Sequence, residues 1–204
     1  MASYFAFTTK ELSKTTWPDF ERLFSQGNGF DFCWCMHFQR ARLLSGGERL
    51  RSRAEKGMRN RREKRELVER GCAHGILVYA NGEPVGWCQY GPRNELPRID
   101  HSRKYRQLSE VTAERLWRIT CFAVLKKYRR RGVASAALKA ALEAIRKKGG
   151  GLVEAYPIMR WETRAFGNES TNGTASMFEK AGFRRVAPFG CTRFSTHVLM
   201  RRNV

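Results

Sequence analysis

The chain has 204 residues, is 42% hydrophobic and carries a formal net charge of +20. That size and apolar content suffice for one buried core, so a single domain over residues 1–204 is expected, and the sequence has no run of about 18 or more apolar residues with which to cross a bilayer. The charge predicts either attraction to polyanions, that is coenzyme phosphates, RNA, DNA or acidic substrates, without choosing among them, or a heavily solvated basic exterior.

Met1 to Lys14 mixes polar and aromatic residues and lacks a basic start followed by an apolar stretch, so no secretory leader is expected and a cytoplasmic location follows. Cys33, Cys35, Cys72, Cys88, Cys121 and Cys191 sit mostly in apolar segments and read as free thiols in a reducing compartment. Pro18 suits the first turn of a helix that begins after Thr15 or Thr16 and ends at Gly27-Asn28-Gly29. Phe30 to Gln39 reads as an aromatic-rich strand. On such a strand Cys33, Cys35 and His37 would share one face, but no second ligand pair follows, so no metal is assigned.

Glu48 to Arg70 is the most charged stretch and predicts an exposed helix with a weak apolar stripe of Leu50, Ala54, Met58 and Leu67 or Val68, weakened by Gly57. Its interspersed glutamates favour a face laced with ion pairs; a weak RNA contact through Arg59, Arg61, Arg62 and Arg65 is the other reading. Asn81-Gly82 between Gly75–Ala80 and Pro84–Tyr90 is a hairpin signal. Gly91 to Gln107 reads as a polar loop, Trp117 to Val124 as a buried strand, and Gly132 to Lys148 as a helix stopped by Gly149-Gly150-Gly151. Leu152 to Tyr156 is a strand closed by Pro157, Met159 to Asn172 a loop, and Ala175 to Ala181 a short helix. Phe183–Ala187 and Phe194–Met200 complete an α/β layout with a mixed sheet, in which the unit Trp117 to Tyr156 places two strands in parallel.

The chemistry concentrates in Val124-Leu125-Lys126-Lys127-Tyr128-Arg129-Arg130-Arg131-Gly132-Val133-Ala134-Ser135, a strand end, a basic turn and a helix start. Exposed amides at a helix N-terminus and the helix dipole favour phosphate there, and the small Gly132 and Ala134 suit a close approach. The run Arg129-x-x-Gly132-x-Ala134 resembles the coenzyme-A motif of the GNAT acetyltransferases, in the right place between a buried strand and a long helix. Ala175-Ser176-Met177-Phe178-Glu179-Lys180-Ala181-Gly182-Phe183 resembles that superfamily's next helix and turn, and the resemblance covers about residues 75–200. Cys33-Trp34-Cys35-Met36, Gly86-Trp87-Cys88 and Gly173-Thr174-x-Ser176-Met177-Phe178-Glu179 look like one bacterial branch of it, with no substrate assignable.

The resemblance implies a mostly antiparallel central sheet with helices on both faces and a splayed parallel strand pair. It further implies that pantetheine lies along Phe122, Ala123 and Val124, and that amides from Arg130 to Ser135, beside Arg129 and Arg131, hold the pyrophosphate of acetyl-CoA. A backbone N–H near Val124 would polarise the thioester for attack by an amine acceptor. Where many relatives carry a tyrosine that protonates the thiolate, this chain has Phe178, so Tyr156, Ser176 or water is the candidate acid. Glu154, a carboxylate in an otherwise apolar strand beside the implied cleft, is the candidate base, with a salt bridge to Arg118 as the structural alternative. The acceptor could be a small amine or a macromolecule, either a protein lysine or N-terminus or the amine of an aminoacyl-tRNA, and a catalytically weak nucleic-acid-binding or regulatory protein would share the same fold.

Overall fold

The structure is a computed structural model that describes residues 6–26, 29–41, 52–108, 113–161, 172–191 and 195–204. Its elements are β1 (Phe7–Glu11), α1 (Trp17–Ser25), α2 (Arg53–Glu69), β2 (His74–Ala80), β3 (Glu83–Pro92), α3 (Arg103–Leu108), β4 (Leu116–Val124), α4 (Val133–Lys147), β5 (Leu152–Ala155), β6 (Ile158–Trp161), α5 (Ala175–Lys180), β7 (Arg184–Cys191) and β8 (Ser195–Asn203). The strands form one sheet in the order β1-β2-β3-β4-β5-β8-β6, with β7 on the far side of β8. Every pairing is antiparallel except β4 with β5. Among the described residues no helix is long and apolar enough to cross a membrane.

Two features of β4 organise the molecule. Its parallel pairing with β5 runs only from Leu116↔Leu152 to Ile119↔Ala155, whereas β4 continues to Val124, so the two strands part beyond Ala155. A bulge against β3, between Gln89↔Cys121 and Tyr90↔Ile119, inserts Thr120 and resets which face each later side chain meets. Trp117, whose indole donates to Gly150 O at 2.9 Å, and Phe122, edge-on to Phe178, therefore look toward α4 and α5. Arg118, Thr120 and Cys121 look the other way.

α4 packs across β1 to β4, burying Val133, Ala137, Leu138, Ala141, Leu142, Ala144 and Ile145. A Cβ at Gly86 would meet Val133 Cγ1 at 2.3 Å, so the bare strand admits the helix. On the opposite face α1 inserts Phe20 and Phe24 edge-on to Trp87, at 4.7 and 6.3 Å between ring centroids. The Trp87 ring lies over Gly75, where a Cβ would sit 1.9 Å from Cη2.

Several expectations are corrected. The segment 30–39 is a series of turns, because Trp34 and Cys35 both take positive φ, 48° and 47°, and are held there by Trp34 Nε1 donating to Asp31 O and Gln89 Nε2 donating to Cys35 O. A face shared by Cys33, Cys35 and His37 on a strand is therefore lost, and no metal-holding group of three or more His, Cys, Asp or Glu occurs among the described residues.

α2 starts with a Ser52–Glu55 capping box. Its buried stripe is Gly57, Asn60, Lys64 and Val68, while Met58 is 67% exposed. Polar anchoring explains this face. Asn60 Nδ2 donates to the carbonyls of Phe32 and Cys33, Lys64 Nζ donates to Gln39 Oε1, and Gly57 lets the helix backbone close on Asp31.

Residues 91–107 hold the end of β3, two short 3-10 turns and α3 rather than one loop. β1 had no sequence signal, and Ile158–Trp161 is a strand within the expected loop. Gly27-Asn28, residues 48–51, the rest of that loop to 171, and Phe194 lie outside the described residues.

Candidate active site

The turn between β4 and α4 is built by two left-handed residues. Arg130 has φ 58°, and Gly132, the N-cap of α4, has φ 88°. A Cβ on Gly132 would meet nothing within 4 Å, so glycine is required here by conformation and not by space. The curl leaves the first-turn amides of α4 without intrahelical acceptors and pointing outward at the positive end of the helix dipole.

These residues border a cavity of ≈ 350 Å³ lined by Phe122, Val124, Tyr128, Arg129, Arg130, Gly132, Val133, Ala134 and Ser135 on one side and Gly173, Thr174 and Met177 on the other, with Phe30 at its rim. The far wall is tied down where Ile158 N donates to Gly173 O at 3.1 Å and where Thr174 caps α5. Gly173 has φ 72°, and a Cβ on it would sit 2.7 Å from Met177 Cε. Ten residues singled out from the sequence for the coenzyme, 122–124 and 129–135, thus fall in one loop and strand end; Ala123 and Arg131 do not line the cavity.

The strand parting adjoins this cavity through Phe122. Phe178, fully buried, stacks edge-on to Phe122 at 6.0 Å and to Phe183 at 5.0 Å, so the position is filled by hydrocarbon contacts. Thr174 lines the cavity, and its hydroxyl lies 3.2 Å from Ser176 Oγ on the exposed side of α5. The sequence marks Thr174 within a motif but assigns it no role in the site. Its signal was the glycine followed by a Thr N-cap before an apolar turn.

Glu154, Tyr156 and Ser176 do not line the cavity. Glu154 is fully buried, and all its acceptor capacity facing the protein is engaged. Oε1 accepts from Arg201 Nε and Nη2 at 2.9 and 2.8 Å, and Oε2 accepts from the hydroxyls of Tyr105 and Tyr156 at 2.6 and 2.8 Å. Arg118 Nε stands 3.9 Å from Oε2, and Arg118 also donates to both oxygens of Asp100 at 2.8 Å. Burial pushes the Tyr156 hydroxyl well above its ordinary pKa, reinforced by the Glu154 charge.

The family model of the acetyltransferase (GNAT) family matches residues 10–183. The chain belongs to the GNAT acetyltransferase family. Solved structures agree on the fold at low identity. A putative GNAT acetyltransferase from Desulfovibrio desulfuricans is 15% identical with a TM-score of 0.53, over 97% of this chain and 99% of that one. An N-acetyltransferase from Staphylococcus aureus Mu50 is 12% identical with a TM-score of 0.56, over 97% and 98%. A ribosomal-protein-alanine N-acetyltransferase from Brucella melitensis is 14% identical with a TM-score of 0.54, over 97% and 99%. No protein of curated function matches the sequence. The open, mostly antiparallel sheet with one parallel pair is the GNAT architecture.

Proposed function

We propose that this GNAT protein transfers the acetyl group of acetyl-CoA to a primary amine by direct attack in a ternary complex. The observation that carries this reading is the cavity that runs from the α4 N-terminus to Phe122, where β4 and β5 part. A pyrophosphate fits the outward amides of Arg130 to Ser135, with Arg129 to Arg131 supplying attraction. Pantetheine fits beside Phe122, Ala123 and Val124, where β4 has lost its β5 partner. A backbone N–H near Val124 would then polarise the thioester carbonyl. The amine nitrogen bonds to the acetyl carbon and the carbon–sulfur bond breaks; the nitrogen gives up one proton to water and the departing thiolate takes up one, so the products are the acetylated amine and the free coenzyme thiol with no net proton released.

With Phe178 in place of a tyrosine, Thr174 is the hydroxyl that the α5 wall contributes to the cavity, and it is linked to the exposed Ser176. We assign the thiolate's proton to that pair. Glu154, with four donors on its carboxylate, fits a role in fixing Tyr105, Tyr156 and Arg201 under the strand parting; action as the general base is the competing assignment. Free thiols at Cys33, Cys35, Cys72, Cys88 and Cys121 fit a cytoplasmic setting.

The test is incubation with acetyl-CoA and a panel of amines or a cell extract, reading free coenzyme thiol and acetylated products by mass spectrometry. Acetyl-CoA binding with no turnover on any acceptor would favour the regulatory reading of the same fold.

A further inference from the structure

The structure divides the basic residues into balanced and unbalanced sets. On α2, Arg59 pairs with Glu63, Arg61 with Glu21 and Arg65 with Glu69. Arg40 and Arg53 are likewise held, by Glu63 and Asp31. These arginines are thus each held by a carboxylate, while Lys56 and Arg62 of the same helix are exposed with no described carboxylate partner. The stretch 98–106 differs. It carries Arg98, Arg103, Lys104 and Arg106, and its one carboxylate, Asp100, is taken by Arg93 and Arg118. Arg103, Lys104 and Arg106 are exposed, and no described carboxylate pairs with them.

Their placement is fixed by Tyr105. That side chain is buried, with its hydroxyl on Glu154 and its ring edge-on to Tyr156 and Phe189 at 6.4 and 6.3 Å. α3 therefore sits at the end of β5, on the face of the sheet that Arg118 and Glu154 share and that α4 does not cover. Arg98 N donates to Phe38 O at 3.3 Å, which joins this cap to the turns 30–39. The local field registers on His37, whose pKa falls to about 4 through burial and then through Arg98 and Lys56. The coenzyme cavity occupies the α4 and α5 side of the parting strands, so this second face is where an acceptor would approach.

We propose that Arg98, Arg103, Lys104 and Arg106 form a docking surface for the phosphate backbone of an RNA that carries the acceptor amine. The inference rests on the transfer reading only for the word acceptor. Three of the four residues are arginines, whose planar guanidinium matches phosphate oxygens in pairs. An uncharged small amine would gain nothing from four unbalanced cations beside the cleft.

The experiment is fluorescence anisotropy with a labelled RNA stem–loop bearing a single-stranded 3′ end, over a range of salt. The variant Arg103→Glu/Lys104→Glu/Arg106→Glu is expected to lose at least about tenfold in affinity and to flatten the log–log salt slope by about 2, as loss of three phosphate contacts requires. Arg61→Glu/Arg65→Glu on α2 is expected to bind RNA like the parent. Calorimetry with acetyl-CoA should give the same affinity for all three proteins, which also certifies their folding. The proposal is overturned if the α3 variant keeps parental affinity and slope, if the α2 variant alone loses binding, or if poly-glutamate of matched charge binds more tightly than the RNA. RNA docking without acetyl-CoA binding by the parent would leave the surface standing and remove the transfer reading.

Discussion

Replacing Glu154 with Gln separates its two possible roles, because the structure assigns them different magnitudes. The carboxylate faces two guanidinium N–H groups of Arg201 and two tyrosine hydroxyls, all within 2.9 Å, and is fully buried. Gln retains one acceptor oxygen and turns an NH2 group toward two of those donors, while Arg118 and Arg201 lose their shared counter-charge. Removing one partner from a buried ion pair costs about 3–5 kcal/mol. At about 2–4 °C per kcal/mol for a chain of this size, the melting temperature should fall by about 10 °C. Below that transition, kcat should drop less than about tenfold, with acetyl-CoA affinity unaltered. A base in contact with the amine would instead contribute about 10²–10⁴-fold in rate with little effect on folding. Scanning calorimetry and steady-state kinetics on the same preparation decide the matter. A hundredfold loss of kcat with an unchanged melting temperature would refute the positioning role and make Glu154 the base.

Gly132→Ala forces a side chain into φ 88° and should cost about 1–2 kcal/mol while distorting the amide curl; acetyl-CoA affinity by calorimetry should fall, and Gly132→Glu, which adds a negative charge, should abolish it. Equal affinity for parent and both variants would remove the coenzyme from this turn. Burial lowers the Lys64 pKa to about 8 from its ordinary 10.5, so the unfolded chain holds the proton more tightly. Stability should therefore climb as pH rises from about 8 to 10.5, and Lys64→Met should erase that climb, worth about 3 kcal/mol, in urea melts; a climb that survives the substitution would sink the assignment. Gly57→Ala should destabilise although alanine is the better helix former, since the new Cβ would lie 2.7 Å from Asp31 O; a raised melting temperature would show that the turn yields at little cost.

What the sequence determined by itself was local. The Asn81-Gly82 hairpin, the period of α4 and the Arg129 to Ala134 turn are each set by near neighbours, and the structure has an element at each. The turn expected to hold the coenzyme is local for the same reason: a strand end, a glycine with left-handed φ and a helix start are consecutive in the chain. The surroundings of Glu154 were not, because its donors Tyr105 and Arg201 lie 49 and 47 residues away and meet it only when α3 and β8 close over β5.

Segment 30–39 failed as a strand because its aromatic content reflects packing against Phe20 and Phe24, not sheet pairing, and long-range hydrogen bonds to Gln89 and Asn60 hold it in turns. Charge followed the same division. Composition establishes that the molecule is basic, but only the tertiary arrangement shows that Arg59, Arg61 and Arg65 of α2 meet Glu63, Glu21 and Glu69 while α3 leaves its own arginines facing solvent, since ion pairing depends on which side chains folding brings within about 4 Å.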